Sequence, residues 1–200
     1  MASGESMTVK IVSTGLGDLS NFFESLPDVA ETAMQIAINQ VAERDGMNLI
    51  KRDMREQVDF PSGYLESRIK VTRKAQRGLL EAVIRGRDRA TSLARFARGQ
   101  NPGNTRGRPV FINVRKGQTR KLSNAFMVNL RNGNTGLAVR LKKGESLRNS
   151  QAAVRLADNV YLLYGPSVDQ VMKGVADDRA GDISNMVSKQ FLRQFDRLLK

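Results

Sequence analysis

The chain has 200 residues, 40% of them apolar, and a formal charge of +13 from 33 basic and 20 acidic side chains. It holds no cysteine, histidine or tryptophan, which removes disulfides, thiolate nucleophiles, thiolate metal sites and imidazole acid–base chemistry. No apolar run approaches the roughly 18 residues needed to cross a bilayer, and Met1-Ala2-Ser3-Gly4-Glu5-Ser6 lacks the pattern of a secretory signal, so a soluble protein made in a cytoplasm is expected.

Residues 1–6 read as a flexible start. Met7–Ser13 alternates apolar with polar, a strand pattern, and Gly15–Gly17 breaks it. Asp18 or Ser20 caps a short helix ending by Leu26, stopped by Pro27. From Asp28 to about Asp59 runs the clearest helix, with Ala30, Ala33, Ala37 and Val41 on one stripe. Met47, Ile50, Met54 and Val58 continue a stripe after Gly46 with a shifted phase. Such a rod is roughly 45 Å long. Gly46 costs about 1 kcal/mol against alanine, which suggests a kink or close packing there. Ile36, Ile38 and Leu49 lie off the stripe and need cover, from the chain's own sheet or from a neighbouring subunit.

After Phe60-Pro61-Ser62-Gly63, Tyr64–Arg68 reads as one helical turn. Ile69–Arg73 and Leu79–Arg85 read as strands of a hairpin turning through Lys74–Gly78. Ser92–Phe96 is a short apolar element, and Gly99–Arg108 is a loop by composition. Val110–Val114 and Ala125–Leu130 read as strands on either side of a basic turn at Arg115–Lys121. Asn132-Gly133-Asn134 signals a hairpin into Leu137–Leu141. Val160–Tyr164 is a strand that Gly165-Pro166 ends. Ser167-Val168-Asp169-Gln170 fits a capping box for a helix to about Val175. Asp182 caps the last helix, striped by Ile183, Val187, Phe191 and Phe195 and widened by Met186, Leu198 and Leu199. Helices bracketing a run of strands predict an α+β fold: a long N-terminal helix on a mainly antiparallel sheet, with closing C-terminal helices. The expected organisation is an arm over residues 1–27 and one domain over 28–200, with a basic loop at about 97–121.

The charge is uneven. Residues 1–50 carry 2 basic and 7 acidic side chains, whereas residues 85–121 carry 11 basic and 1 acidic. That density suggests an anionic partner, either nucleic acid or an acidic protein surface; a solvated face is the plainer reading. The candidate interface residues are Arg85, Arg87, Arg89, Arg95, Phe96, Arg98, Arg106, Arg108, Arg115, Lys116, Arg120 and Lys121. Arginine suits bidentate pairing with phosphate or carboxylate. Phe96 and Phe111 are interleaved among these cations, where a base could stack. Asp177-Asp178 with Asp182 is the one dense acidic group, and it reads as a solvated turn more than a cation site. Neither glycine-rich stretch has a phosphate-binding fingerprint. No catalytic residue, cofactor or metal is expected, and the chain is read as a non-enzyme.

Several short motifs resemble the minor tail protein Z and tail-completion proteins of tailed bacteriophages. They are Ala37-Ile38-Asn39 with Ala42, Ile50-Lys51-Arg52, Phe60-Pro61, Ile69-Lys70-Val71, the run from Arg89 to Phe96, and Leu163-Tyr164-Gly165-Pro166-Ser167-Val168. The match spans about residues 28–172, and the loop at 99–108 has no counterpart in it. The layout is also similar to the wider head–tail-joining group. The resemblance implies a structural virion protein of the tail or neck, made in the host cytoplasm, that forms a homo-oligomeric ring, with a hexamer favoured. Such a ring caps the tail tube or joins it to the connector, with tail tube, terminator and connector proteins as partners. Genomic DNA passes through its lumen, so the basic segment faces either acidic neighbouring subunits, the favoured reading, or DNA. A nucleic-acid-binding module using residues 85–121 is the alternative, and no membrane contact is implied.

Overall fold

The structure is a computed structural model that describes residues 9–11, 27–97, 108–142, 144–147 and 152–200. In chain order the elements are β1 (Val9–Ile11), α1 (Pro27–Gln40), a π-helical segment (Val41–Asp45), α2 (Gly46–Gln57), β2 (Ile69–Arg73), β3 (Ala82–Gly86), β4 (Ala90–Ser92) and a 3-10 turn (Leu93–Phe96). There follow β5 (Val110–Ile112), β6 (Arg120–Leu122), β7 (Ala125–Asn129), β8 (Thr135–Arg140), β9 (Ala153–Ala157), β10 (Val160–Ser167), α3 (Val168–Asp178) and α4 (Ala180–Leu199). The fold is α+β with antiparallel sheets, a long N-terminal helix and closing C-terminal helices, as the pattern of elements predicts. The short helix expected before Leu26 lies outside the described residues. Where the sequence suggests one domain over 28–200, the contacts cluster into two compact units.

The first unit comprises residues 1–54, 66–88 and 169–200. The phase shift at Gly46 is a π-turn: the Gly46 amide donates to the Val41 carbonyl, five residues back, which inserts one residue into the helix. A Cβ at Gly46 would sit 2.9 Å from the Val41 carbonyl oxygen, so the turn requires glycine. The extra residue keeps both stripes inside, and Ala33, Ala37, Val41, Met47, Ile50 and Met54 are all buried. Ile38 and Leu49 are buried within the chain itself. α1 packs along α4, whose Ile183, Val187, Phe191 and Phe195 form the expected buried stripe. Leu198 and Leu199 do not widen it; both are exposed. β3 is the middle strand of a three-stranded antiparallel sheet, order β1-β3-β2, and its Ala82, Val83 and Ile84 are all buried, the run expected of a strand covered on both faces.

The β2–β3 hairpin closes through Arg77 and Gly78, between paired Gln76 and Leu79, with Gly78 at φ 75°. Leu79 therefore belongs to the turn, and the second strand starts later than the sequence suggests. Asn39 on α1 grips this hairpin twice: its Nδ2 donates to the Ala75 carbonyl (3.0 Å) and its Oδ1 accepts from the Ala75 amide (2.8 Å). Ion pairs surround the same junction, Lys74 with Glu43 and Arg73 with Glu81. Asp182 is not an N-cap; it lies in the first turn of α4 and pairs with Arg179 at 3.0 Å. Arg179 also reaches buried Asp53 on α2 at 2.6 Å, where Arg52 binds the other carboxylate oxygen at 2.9 Å. Burial pushes the Asp53 carboxyl up, but hydrogen bonds from Arg179 and Arg52, aided by their charges, outweigh it and hold the group below its ordinary value.

The second unit comprises residues 55–65 and 89–168. Its main sheet runs β4-β10-β8-β7, with β9 also paired to β10. β10 continues through Gly165-Pro166 to Ser167, contrary to the sequence reading. A register shift between Gly165 and Ser167 lets the strand pass proline, which has no amide hydrogen for a ladder bond. Gly165 lets the strand pack closely, because a Cβ there would press on Leu93 (3.1 Å) and Phe96 (3.3 Å). Gly136 on β8 likewise leaves the space that the Leu162 side chain fills. Three strands escape the sequence reading, the short β4 (Ala90–Ser92) among them. β9 is mostly exposed and shows no burial alternation, and β6 lies inside what reads as a basic turn. The partner of Val110–Ile112 is thus Arg120–Leu122, while β7 pairs with β8 across Gly133 (φ 76°).

Candidate interaction surface

The sequence-contiguous basic segment is divided by the fold. Arg85 and Arg87 belong to the first unit, and Arg89 onward to the second. Arg85 is exposed on β3, whereas Arg87 is half-buried, with its amide donating to the Arg68 carbonyl and its carbonyl accepting from the Asp169 amide. Arg98 and Arg106 lie outside the described residues.

In the second unit, Arg89, Arg95, Arg108, Arg115, Lys116, Arg120 and Lys121 are all exposed. The β5–β6 hairpin displays most of them. Val110 and Ile112 turn into the core, while Phe111 and Lys121 are register partners facing outward, with Phe111 43% exposed. Arg115, Lys116 and Gly117 form its tip; the Gln118 amide closes on the Arg115 carbonyl at 3.0 Å, and Gly117 has φ 76°. The hairpin is fixed from two sides within its unit. Val58 bridges Arg115 and the Asp59 amide donates to Val114 (2.9 Å), while Ala97 bridges Ile112 and the Asn113 amide donates to Phe96 (3.0 Å). The cations therefore stand on an ordered platform.

Phe96 corrects the sequence reading: it is only 2% exposed and cannot present its ring to a base or a partner. It closes an aromatic stack in which Phe60 lies 5.9 Å from Phe96 and 5.8 Å from Tyr64. Arg95 caps that stack, its guanidinium 5.1 Å from the centre of the Tyr64 ring. Phe111 is the aromatic that faces out. The fold also adds cations that the charge count over 85–121 leaves aside: Arg131, Arg140, Lys142 and Arg155 are exposed in the same unit. Arg140 ends β8 and Arg155 lies on exposed β9; neither strand alternates in burial, so no periodicity in the sequence singles these two out.

Counted over whole units, the first holds 17 basic and 16 acidic residues and the second 16 basic and 4 acidic, so the second carries +12 of the +13. Arg155 pairs with Asp158 at 3.3 Å. Among the described residues, Arg89, Arg108, Arg115, Lys116, Arg120, Lys121, Arg131, Arg140 and Lys142 have no ion-pair partner. Asp177 and Asp178 are exposed in the first unit, and among the described residues no group of three or more potential metal-ligating side chains comes together. No described helix is long and apolar enough to cross a membrane.

No protein-family model, curated protein or solved structure matches the chain. The residues that resemble phage tail proteins have structural work in this fold. Ala37 and Ile38 are fully buried, Asn39 grips Ala75, and Phe60, Leu93, Phe96 and Gly165 meet in one core.

Proposed function

We propose that the chain is a structural assembly protein of a phage tail or neck. In this reading it works by binding and not by catalysis, assembling as a ring whose basic β-rich units dock against acidic surfaces of neighbouring proteins. The observation that carries it is the +12 charge of one compact unit, nine of whose described cations are exposed without an ion-pair partner among the described residues. Like charges at that density repel until a partner supplies the opposite sign. The order of elements and the motif residues support the tail-completion assignment, with tube and connector proteins as neighbours, a hexamer as the favoured ring and the virion as the location. A ring needs heterologous contacts, one surface of a subunit against a different surface of the next, and two units that differ by eleven charges give each chain two unlike surfaces.

Light scattering of the pure protein, alone and mixed with its tail-tube and connector proteins, tests this. Oligomers or mixed complexes that dissociate as salt rises are expected; monomer in every mixture overturns the reading. Phe111 beside Lys121 favours one second reading, DNA contact, because an exposed ring among cations is a stacking platform. It predicts DNA binding that weakens steeply with salt and is lost when Arg115, Lys116, Arg120 and Lys121 are neutralised.

A further inference from the structure

The first unit, nearly neutral overall, holds a polar cleft of its own. α1 and its π-turn run antiparallel to α4, and a cavity of about 350 Å³ opens between them. In a π-turn, whose hydrogen bonds span five residues, the positions four and five beyond Gln40 both lie beneath it. Arg44 and Asp45 thereby reach the same cleft. Across from them, Gln190, Arg193, Gln194 and Arg197 follow the helical repeat beside the buried stripe of α4.

The cleft is incomplete as it stands. Gln194 is only 4% exposed; its Nε2 donates to Gln40 Oε1 at 3.2 Å, and its own Oε1 is buried without a partner. Gln190 repeats the pattern, with Nε2 donating to Asp45 Oδ2 at 3.2 Å and Oε1 orphaned. Buried acceptors without donors are rare because the lost hydration is not returned. Arg44, Arg193 and Arg197 have no ion-pair partner among the described residues. A fitting ligand must therefore bring both negative charge and hydrogen-bond donors.

We infer that this cleft is a docking site for an acidic polypeptide segment, distinct from the basic β-rich unit. Carboxylates would pair with the three guanidinium groups, and backbone or side-chain N–H groups would satisfy the Gln190 and Gln194 oxygens. A phosphodiester backbone matches the arginines but, unlike a peptide backbone, has no N–H donor to offer the two glutamine oxygens. The volume is roughly ten times the ~30 Å³ share of one water, which suits a short stretch of side chains and not a single ion.

The test uses the full chain with Arg115, Lys116, Arg120 and Lys121 all changed to Gln, so that the hairpin no longer competes. The probes are a fluorescent Glu–Gly peptide and a fluorescent oligothymidylate, followed by anisotropy at low salt. The peptide is expected to bind in this background. Arg193→Gln with Arg197→Gln is expected to weaken it at least tenfold, because two charge-assisted pairs are lost. Gln194→Met, which leaves the charge unchanged, weakens the peptide several-fold and leaves the oligothymidylate unaffected. Peptide binding that vanishes with the hairpin charges, or that ignores the Arg193 and Arg197 changes, overturns the inference while leaving the ring reading in place. Oligothymidylate binding that is stronger and equally sensitive to these changes assigns the cleft to nucleic acid and overturns it too. Should Gln194→Met fail to fold by circular dichroism, the exposed arginine pair decides alone.

Discussion

The two units hold almost equal numbers of basic residues, 17 and 16, and differ fourfold in acidic ones, 16 against 4. In the first unit many cations are spoken for: Arg179 ties Asp53 to Asp182, Lys74 meets Glu43, and Arg73 meets Glu81. In the second, most of the described cations face solvent from a sheet edge and a fixed hairpin. Basic residues thus serve two ends in one chain. Where acids accompany them they join helices and hairpins into a fold. Where acids are missing they contribute little to the unit's own cohesion and leave its surface open to a partner.

The comparison breaks most easily in the cores. Phe191→Ala in the first unit and Phe96→Ala in the second each remove a ring at most 2% exposed, at a cost of about 3–5 kcal/mol. Hydrogen exchange of backbone amides, read unit by unit, should show each change loosening its own unit most. Equal loosening throughout would mean that the two units open as one.

A smaller effect has a sign that sharpens the account of the first unit. Helix propensity alone gives Gly46→Ala about 1 kcal/mol of added stability. The Val41 carbonyl stands where the new methyl must go, and overpacking costs about 1–3 kcal/mol. A net loss in urea denaturation is expected; a net gain would remove the steric reason for glycine in the π-turn.

Charge changes separate the units next. Neutralising any one of Arg115, Lys116, Arg120 and Lys121 should alter stability by no more than about 0.5 kcal/mol, since single surface changes away from partners rarely do more. Partner binding should fall sharply when all four are neutralised. Arg179→Gln should do the reverse, lowering the melting temperature with little effect on partner binding.

The smallest effects are pH-dependent and oppose each other. The lowered Asp53 carboxyl contributes stability above the ordinary value of 3.8, which is lost as pH falls below it towards the folded value. Asp53→Asn should flatten that acid limb. Burial raises the Asp169 carboxyl, the nearby Asp88 charge adds to this, and the Gly86 amide and Lys173 oppose it. A raised carboxyl costs stability above its folded value and returns it as pH falls to the ordinary one, so Asp169→Asn should stabilise modestly at pH 7 and less at pH 4 in paired thermal melts.

Much of the architecture is legible in the chain, because it rests on periodicity and local turn chemistry. The buried stripe of α4, the Asn-Gly turn and the alternation of Ile69–Arg73 are local patterns, and the phase shift at Gly46 marks an inserted residue that the π-turn supplies. The failures are also local in cause. Pro166 looks like a stop because only the sheet reveals the register shift that admits it, and β9 is too exposed to alternate. Asp182 has the composition of a cap, but its carboxylate is drawn to Arg179.

The site divides the same way. Sequence by itself determined that this chain is basic, lacks histidine and cysteine chemistry, and concentrates its arginines in the middle. Only the tertiary structure decided that Phe96 is core, that Phe111 faces out beside Lys121, and that one unit keeps nearly all the net charge. A sequence gives the charge of a segment, whereas repulsion and pairing depend on distances in space. Those distances are set when residues far apart in the chain, such as Asp53 and Arg179, are packed together.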